Sequence, residues 1–172
     1  NCRIDTSDDC ITLRASAAHK LANPQDCEWV TVTNCNLSSS CNAIRLGVGA
    51  GNIHDAVFPN LTISDTKQAF NIVAAYVRGN RGTDIYGIRF NNIRVQANEL
   101  VRIHHMHSPA AMIKDIVFDG ISGSVKYTSK IWAKQAAPFT NIVFRNVDVE
   151  TEVECVNAKI KIEGGLIAKK KL

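Results

Sequence analysis

The chain is predicted to be an all-β protein folded as a parallel β-helix, a solenoid of about six coils. Three features of its 172 residues carry that expectation. A short frame recurs along the chain. Apolar residues alternate with period 2 on both sides of a recurring bend residue. The spacing between copies also varies, which stacked strands tolerate and helical repeats do not.

The frame reads apolar-x-aromatic/Val-x-Asn-apolar-x-apolar. Complete copies are Val30 to Leu37, Ala56 to Ile63, Ile88 to Val95, Ile116 to Gly123 and Ile142 to Val149, and Asn1-Cys2-Arg3-Ile4 holds the second half of another. The bend position falls at Asn1, Asn34, Asn60, Asn92, Gly120 and Asn146, with separations of 33, 26, 32, 28 and 26 residues. Each copy is thus two short strands meeting at a bend. An Asn there tolerates the left-handed conformation and can hydrogen-bond its stacked neighbours, while Gly120 reaches the same conformation because it lacks a Cβ. Val32, Phe58, Phe90, Phe118 and Phe144 are expected to stack as one inward column, and Leu37, Ile63, Val95 and Val149 as another. An antiparallel sandwich would also alternate. It would place Asn-Gly or Asp-Gly hairpin turns between its strands and would not repeat a single bend residue.

Residues 1–168 are assigned to the coils. Ile160 to Ala168 read as the last strand, and residues 169–172 as a frayed basic tail that solubilises the end and does not bind nucleic acid. The first coil begins in its middle, so upstream coils or another chain are expected to cover the amino-terminal edge.

Composition narrows the function. The formal net charge is +4, with 45% hydrophobic and 21% charged residues. These values exclude a disordered, collagenous or coiled-coil chain, and no apolar run is long enough to make a membrane-spanning helix. The six cysteines form no CxxC pair and are read as free thiols behaving as small hydrophobes. His104, His105 and His107 form an HHxH cluster, but on a strand only His105 and His107 would share a face. The cluster is read as polar and not as a metal centre. No cofactor and no metal are expected. The sequons at Asn36 and Asn60 are read as accidental, because Asn60 is a bend residue of the repeat.

Past each bend a second register emerges: Leu13, Leu46 and Ile72 each lie nine residues beyond the strand-entry residues Ile4, Leu37 and Ile63. In that register Asp8-Asp9, Cys41-Asn42 and Lys67-Gln68 share one lateral strip. Adjacent carboxylates oppose each other's ionisation, the condition exploited by the acid in glycoside hydrolysis. Trp29, Tyr76, Tyr127 and Trp132 are weighed as sugar-stacking platforms. Trp29 reads as core or flank, and aromatics at 6% give no excess.

The segment Asp5-Thr6-Ser7-Asp8-Asp9-Cys10-Ile11-Thr12-Leu13 resembles the D-T-G-D-D-C-I-A-L-K stretch of glycoside hydrolase family 28, the polygalacturonase family. Cys41 to Gly47 is similar to its following G-H-G-I-S-I-G coil. The resemblance implies a right-handed helix and inverting hydrolysis of glycosidic bonds in a plant-type or other extracellular glycan. Asp8 would be the general acid, and Asp9 would help activate water. The family's His falls on Asn42, and the Arg and Lys of its R-I-K segment fall on Asn71 and Val73. A further family Asp would precede Asn1. Substrate binding is therefore assigned to Asn42, Arg45, Lys67 and Asn71, with Arg14 nearby and with glycan specificity altered from polygalacturonate. The expected partner is a polysaccharide or oligosaccharide, not nucleic acid or membrane, met in an extracellular or periplasmic setting. The rival expectation is a noncatalytic glycan-binding or structural module. A third is a polysaccharide lyase, which would need a calcium site built from residues such as Asp5, Asp8 and Asp9.

Overall fold

The computed structural model describes residues 1–15, 25–76, 82–107 and 111–170. Eleven strands and no helix are found among them: β1 (Cys2–Thr6), β2 (Ile11–Leu13), β3 (Cys27–Glu28), β4 (Cys35–Ser39), β5 (Asn42–Gly47), β6 (Gly51–Ala74), β7 (Thr83–His105), β8 (Ile113–Val125), β9 (Ser129–Trp132), β10 (Phe139–Val156) and β11 (Ala158–Lys170). Among the described residues every strand pairing is parallel, in the order β1-β4-β6-β7-β8-β10-β11, with β2, β3, β5 and β9 joining at the sides. This is a parallel β-solenoid, and the antiparallel sandwich is excluded.

The coil count differs from the expected six. The stack amounts to about four turns, corresponding to the regular layers β6, β7, β8–β9 and β10, each of which contributes one Phe to a common column. The shorter strands β1 to β5 and the terminal β11 form incomplete layers around them. Counting every bend asparagine as a coil, Asn1 and Asn34 included, inflated the number. Strands of two to six residues on that side do not close full turns.

The bends have the conformation that their residue types require. Asn34, Asn60, Asn92 and Asn146 have φ of 56, 58, 53 and 50°, and Gly120 has 63°. Asn92 Nδ2 donates to Asn60 Oδ1 at 2.7 Å. The ladder then changes partner, since Asn146 Nδ2 reaches Asp119 Oδ1 at 3.2 Å across the glycine layer. A second bend precedes the first by five residues and repeats the same spacings: Trp29, Asp55, Gly87, Asp115 and Asn141 all have positive φ. Its residue type changes at nearly every layer, so no identity pattern marks it in the sequence.

Between these bends the chain points Phe58, Phe90, Phe118 and Phe144 inward, all fully buried. Successive centroids are 4.9 Å apart, with interplanar angles of 19°, 8° and 7°. That spacing is the rise between stacked strands, so each ring lies offset on the next. Val32 extends the column toward the amino-terminal layers only as a half-buried residue. The second column runs Leu37, Ile63, Val95, with Val149 buried further along and Gly123 standing between them.

The second predicted register is also present. Leu13, Leu46, Ile72, Ile103 and Ile131 stack in one inward column through β2, β5, β6, β7 and β9. Alternation along these strands then places Thr12, Arg45, Asn71, Arg102, Lys130 and Glu154 in the neighbouring column on the opposite, outer face. At the carboxyl end Lys169 and Lys170 continue β11 and pair with Val153 and Glu154, while residues 171–172 lie outside the described residues.

Candidate functional site

The Asp8-Asp9 turn precedes β2, and the stacking of β2 on β5 and of β5 on β6 aligns it with the following layers. Cys10 N donates to the Asn42 carbonyl at 3.0 Å, and Lys67 N donates to the Cys41 carbonyl at 2.8 Å. The predicted alignment of 8-9, 41-42 and 67-68 therefore exists in the backbone.

The side chains separate into two groups. Asp9, Asn42, Asn71 and Arg45 come together. Asn71 Nδ2 donates to Asn42 Oδ1 at 3.0 Å, Asn42 Nδ2 donates to Asp9 Oδ1 at 2.5 Å, and Arg45 Nη1 lies 3.3 Å from Asp9 Oδ2. The result is a relay of amides across three layers that ends on a carboxylate neutralised by a guanidinium. Arg45 also lies over the Tyr76 ring, 4.4 Å from its centroid, which fixes the guanidinium in place. Asp9, Thr12, Arg14, Arg45, Val48 and Tyr76 line a cavity of about 410 Å³ on the outer face.

Lys67 belongs to the other group. It is exposed and lines a separate groove of about 390 Å³ with Ser40, Asp65, Thr66, Gln96, Asn98 and Lys126. Lys67 aligns with Cys41 and Asp8, and Asp9 with Asn42 and Gln68, so the two occupy adjacent columns two layers apart and line different cavities.

Asp8 is exposed. Its Oδ1 accepts from Asp9 N at 2.8 Å, and its carbonyl accepts from Ser39 Oγ at 2.6 Å, so the turn is anchored to the next layer while the carboxylate reaches solvent. Asp8, Asp9 and Cys41 present ligand atoms within 4.8 Å of one another. A thiol binds metal as its thiolate. Burial, followed by the hydrogen bond and charge of Asp9, pushes the Cys41 thiol up and opposes that form. All six cysteines are free thiols.

The relay is followed by residues that sequence reasoning missed. Arg102 stacks on Asn71 in register and pairs with Glu99, through Nε to Oε2 at 2.9 Å and through Nη2 to Oε1. Only the register shift inside the β6–β7 pairing brings Arg102 onto this column. Asn71 Oδ1, Gln68 Nε2 and Arg45 Nε are buried along the strip without a hydrogen-bond partner.

The histidine cluster divides. His105 is buried against Phe139, with ring centroids 4.7 Å apart. Its Nε2 faces the Ala111 carbonyl at 2.6 Å, and its Nδ1 accepts from Lys134 N at 3.1 Å, which fixes a neutral Nε2-H tautomer. His104 is half-buried on the outer face, where burial and then the charges of Arg102 and Arg45 push its pKa down to about 4. His107 is exposed. Trp29 is 75% exposed and sits at the second bend, so it is flank and not core.

Comparison with family models, curated proteins and solved structures finds no match to the chain.

Proposed function

We propose that this protein hydrolyses glycosidic bonds in an extracellular polysaccharide, as the resemblance of its Asp5 to Leu13 segment to glycoside hydrolase family 28 implies. The observation that carries this reading is the pairing of an exposed carboxylate, Asp8, with a held one, Asp9, beside a cavity on the outer face. Asp8 has the access to solvent that a proton donor to a leaving-group oxygen needs. Asp9 is positioned by Asn42 and Arg45 and presents a fixed negative charge against the positive charge that develops on the sugar.

The ligand atoms of the pair lie within 4.8 Å of each other. Inverting enzymes separate acid and base by about 6.5–9.5 Å to admit the attacking water. The two aspartates therefore act on the same side of the scissile bond in this proposal. The resemblance assigns water activation to a further Asp as well, so hydrolysis in this proposal depends on a carboxylate outside the Asp8-Asp9 pair. Arg45 lines the cavity beside Asp9 and faces the substrate, while the buried Asn42 and Asn71 act behind it by holding Asp9 in place. Lys67, facing the other groove, is left out of the site.

One observation favours a second reading, a noncatalytic glycan-binding solenoid. Both oxygens of Asp9 are already engaged within the protein, as in a polar turn whose role is structural.

A reducing-end assay separates the two, run on this chain and on a version extended upstream, across pectic and neutral polysaccharides. Hydrolysis should be abolished by Asp8→Asn and by Asp9→Asn. Asp8→Asn should leave unfolding free energy within about 1 kcal/mol of the parent, as expected of an exposed residue. Glycan retention with no release of reducing ends from either version would favour the binding module.

A further inference from the structure

The outer face that carries Asp9 and Arg45 continues past them, layer by layer, to a second cavity. His104 stacks in register on Val73, Trp132 on His104, and Val156 on Trp132. These residues occupy the outward positions one step beyond Asn71, Arg102, Lys130 and Glu154, so both cavities open on the same sheet face. The cavity at this end measures about 510 Å³ and is lined by His104, Trp132, Lys134, Gln135, Glu154 and Asn157, among others.

Trp132 is 40% exposed, whereas the aromatic rings of the Phe column are fully buried. Its indole is held by Lys130, whose Nζ lies 4.9 Å from the ring centroid. The polar groups around it carry both signs of charge in Lys134 and Glu154, beside an imidazole kept neutral by burial. A neutral imidazole offers one donor and one acceptor. An apolar ring face flanked by uncharged and mutually compensating polar groups matches a sugar ring, with its C–H face and its rim of hydroxyls. Along the strip between the cavities, Arg45 is committed to Asp9 and Arg102 to Glu99. A chain of uronates would find these guanidiniums already neutralised.

We propose that Trp132 and His104 form a binding subsite for a neutral sugar unit of a glycan chain lying along the outer face, with Trp132 as its stacking platform. The inference rests on the proposed action on glycans and adds the class of sugar and a distant point of attachment. Three layer steps separate Arg45 from Trp132, roughly 14 Å at the spacing of stacked strands. One chain would thus bridge both cavities, and short oligosaccharides would reach only one.

The test is affinity electrophoresis and tryptophan fluorescence titration of the full chain against a neutral panel (xylan, mixed-linkage β-glucan, arabinan) and an acidic one (polygalacturonate, alginate). Oligosaccharides from dimer to octamer are titrated alongside. Retention by a neutral glycan is expected, weakened at least tenfold in Trp132→Ala and largely restored in Trp132→Tyr. The loss should be evident with the longer oligosaccharides and small with a dimer bound beside Asp9. Unchanged retention in Trp132→Ala, retention confined to the acidic panel, or no retention by any glycan would each overturn the inference. Asp8→Asn is run in parallel for turnover. Loss of turnover there with retention intact leaves the subsite standing, and retention without turnover in the parent removes the hydrolase reading alone.

Discussion

Two glycines show how closely backbone conformation is specified at single residues. Gly120 replaces the bend asparagine at φ 63°, and a Cβ built on it would meet nothing nearer than the Asn92 backbone at 3.6 Å. Gly123, at φ 137°, stands where the layer below presents the Val95 carbonyl, which would lie 1.8 Å from a Cβ. The first needs only the left-handed region, which Asn also tolerates, and the second needs the absence of a side chain. Gly120→Asn should therefore cost less than about 1 kcal/mol, and Gly123→Ala several times more. Urea midpoints of the two variants test the contrast, and comparable losses would show that the two positions impose the same constraint. The bend asparagines were legible in the sequence because one residue type recurs at one place. Gly123 was not, since it looks like any frame residue until the neighbouring layer is in position. Asp8 and Asp9 were likewise legible as a pair, whereas their division into an exposed and a held carboxylate depends on Arg45 arriving from the next layer.

At the scale of elements, stability comes from columns that no strand builds alone. Each Phe of the 58–90–118–144 column contacts its equivalents one layer away, so a central ring has a partner on both sides and a terminal ring on one. Phe118 also lies beside Phe70, with centroids 5.3 Å apart. Phe118→Leu should cost about 1–3 kcal/mol from lost ring contacts, and Phe118→Ala about 3–5 kcal/mol. Thermal unfolding checks this, and a cost for Phe118→Ala below about 1 kcal/mol would mean that the layers relax independently. The sequence disclosed these columns through period-2 alternation. It did not disclose that β6 and β7 run through both recurring bends as continuous strands of 24 and 23 residues, β6 turning once more at Asp65, because the second bend changes residue type from layer to layer. Nor did it separate Lys67 from Asp9. Alignment across layers fixes a residue's place around the coil, and one step along the strand moves a side chain from the column of Asp9 to that of Lys67.

At the scale of the whole molecule, the two faces of the sheet that runs from β2 to β10 are coupled through β7, where the outward His104 adjoins the inward His105. Burial is the main cause that lowers both pKa values from the ordinary 6.5, that of His104 to about 4. The groups acting on His104 are Arg102, Arg45 and His105, which lower its pKa, and Glu99, which raises it. Those acting on His105 are the Ala111 carbonyl, which raises its pKa, and Lys134, which lowers it. The unfolded chain thus takes up these protons before the folded one does. The corresponding stability is complete above about pH 6.5 and is lost as pH falls from there through about 4. Full withdrawal of His104 from water would make this about 3 kcal/mol, and its half-exposed position reduces it to about 1–2 kcal/mol. Asp26, lowered mainly by its hydrogen bond to Asn52, loses its contribution below its ordinary 3.8, so the histidine window stands apart from the onset of that loss. Urea midpoints should accordingly drop between pH 6.5 and 4, and His104→Gln should flatten part of that slope. In that variant the remaining slope belongs to His105, whose protonation removes the acceptor for Lys134 N and so releases the segment that carries Lys134 and Gln135 along the Trp132 cavity. A stability profile that stays flat between pH 6.5 and 4.5 would show that both imidazoles take up protons without cost, and that the Trp132 end of the face is held by packing alone.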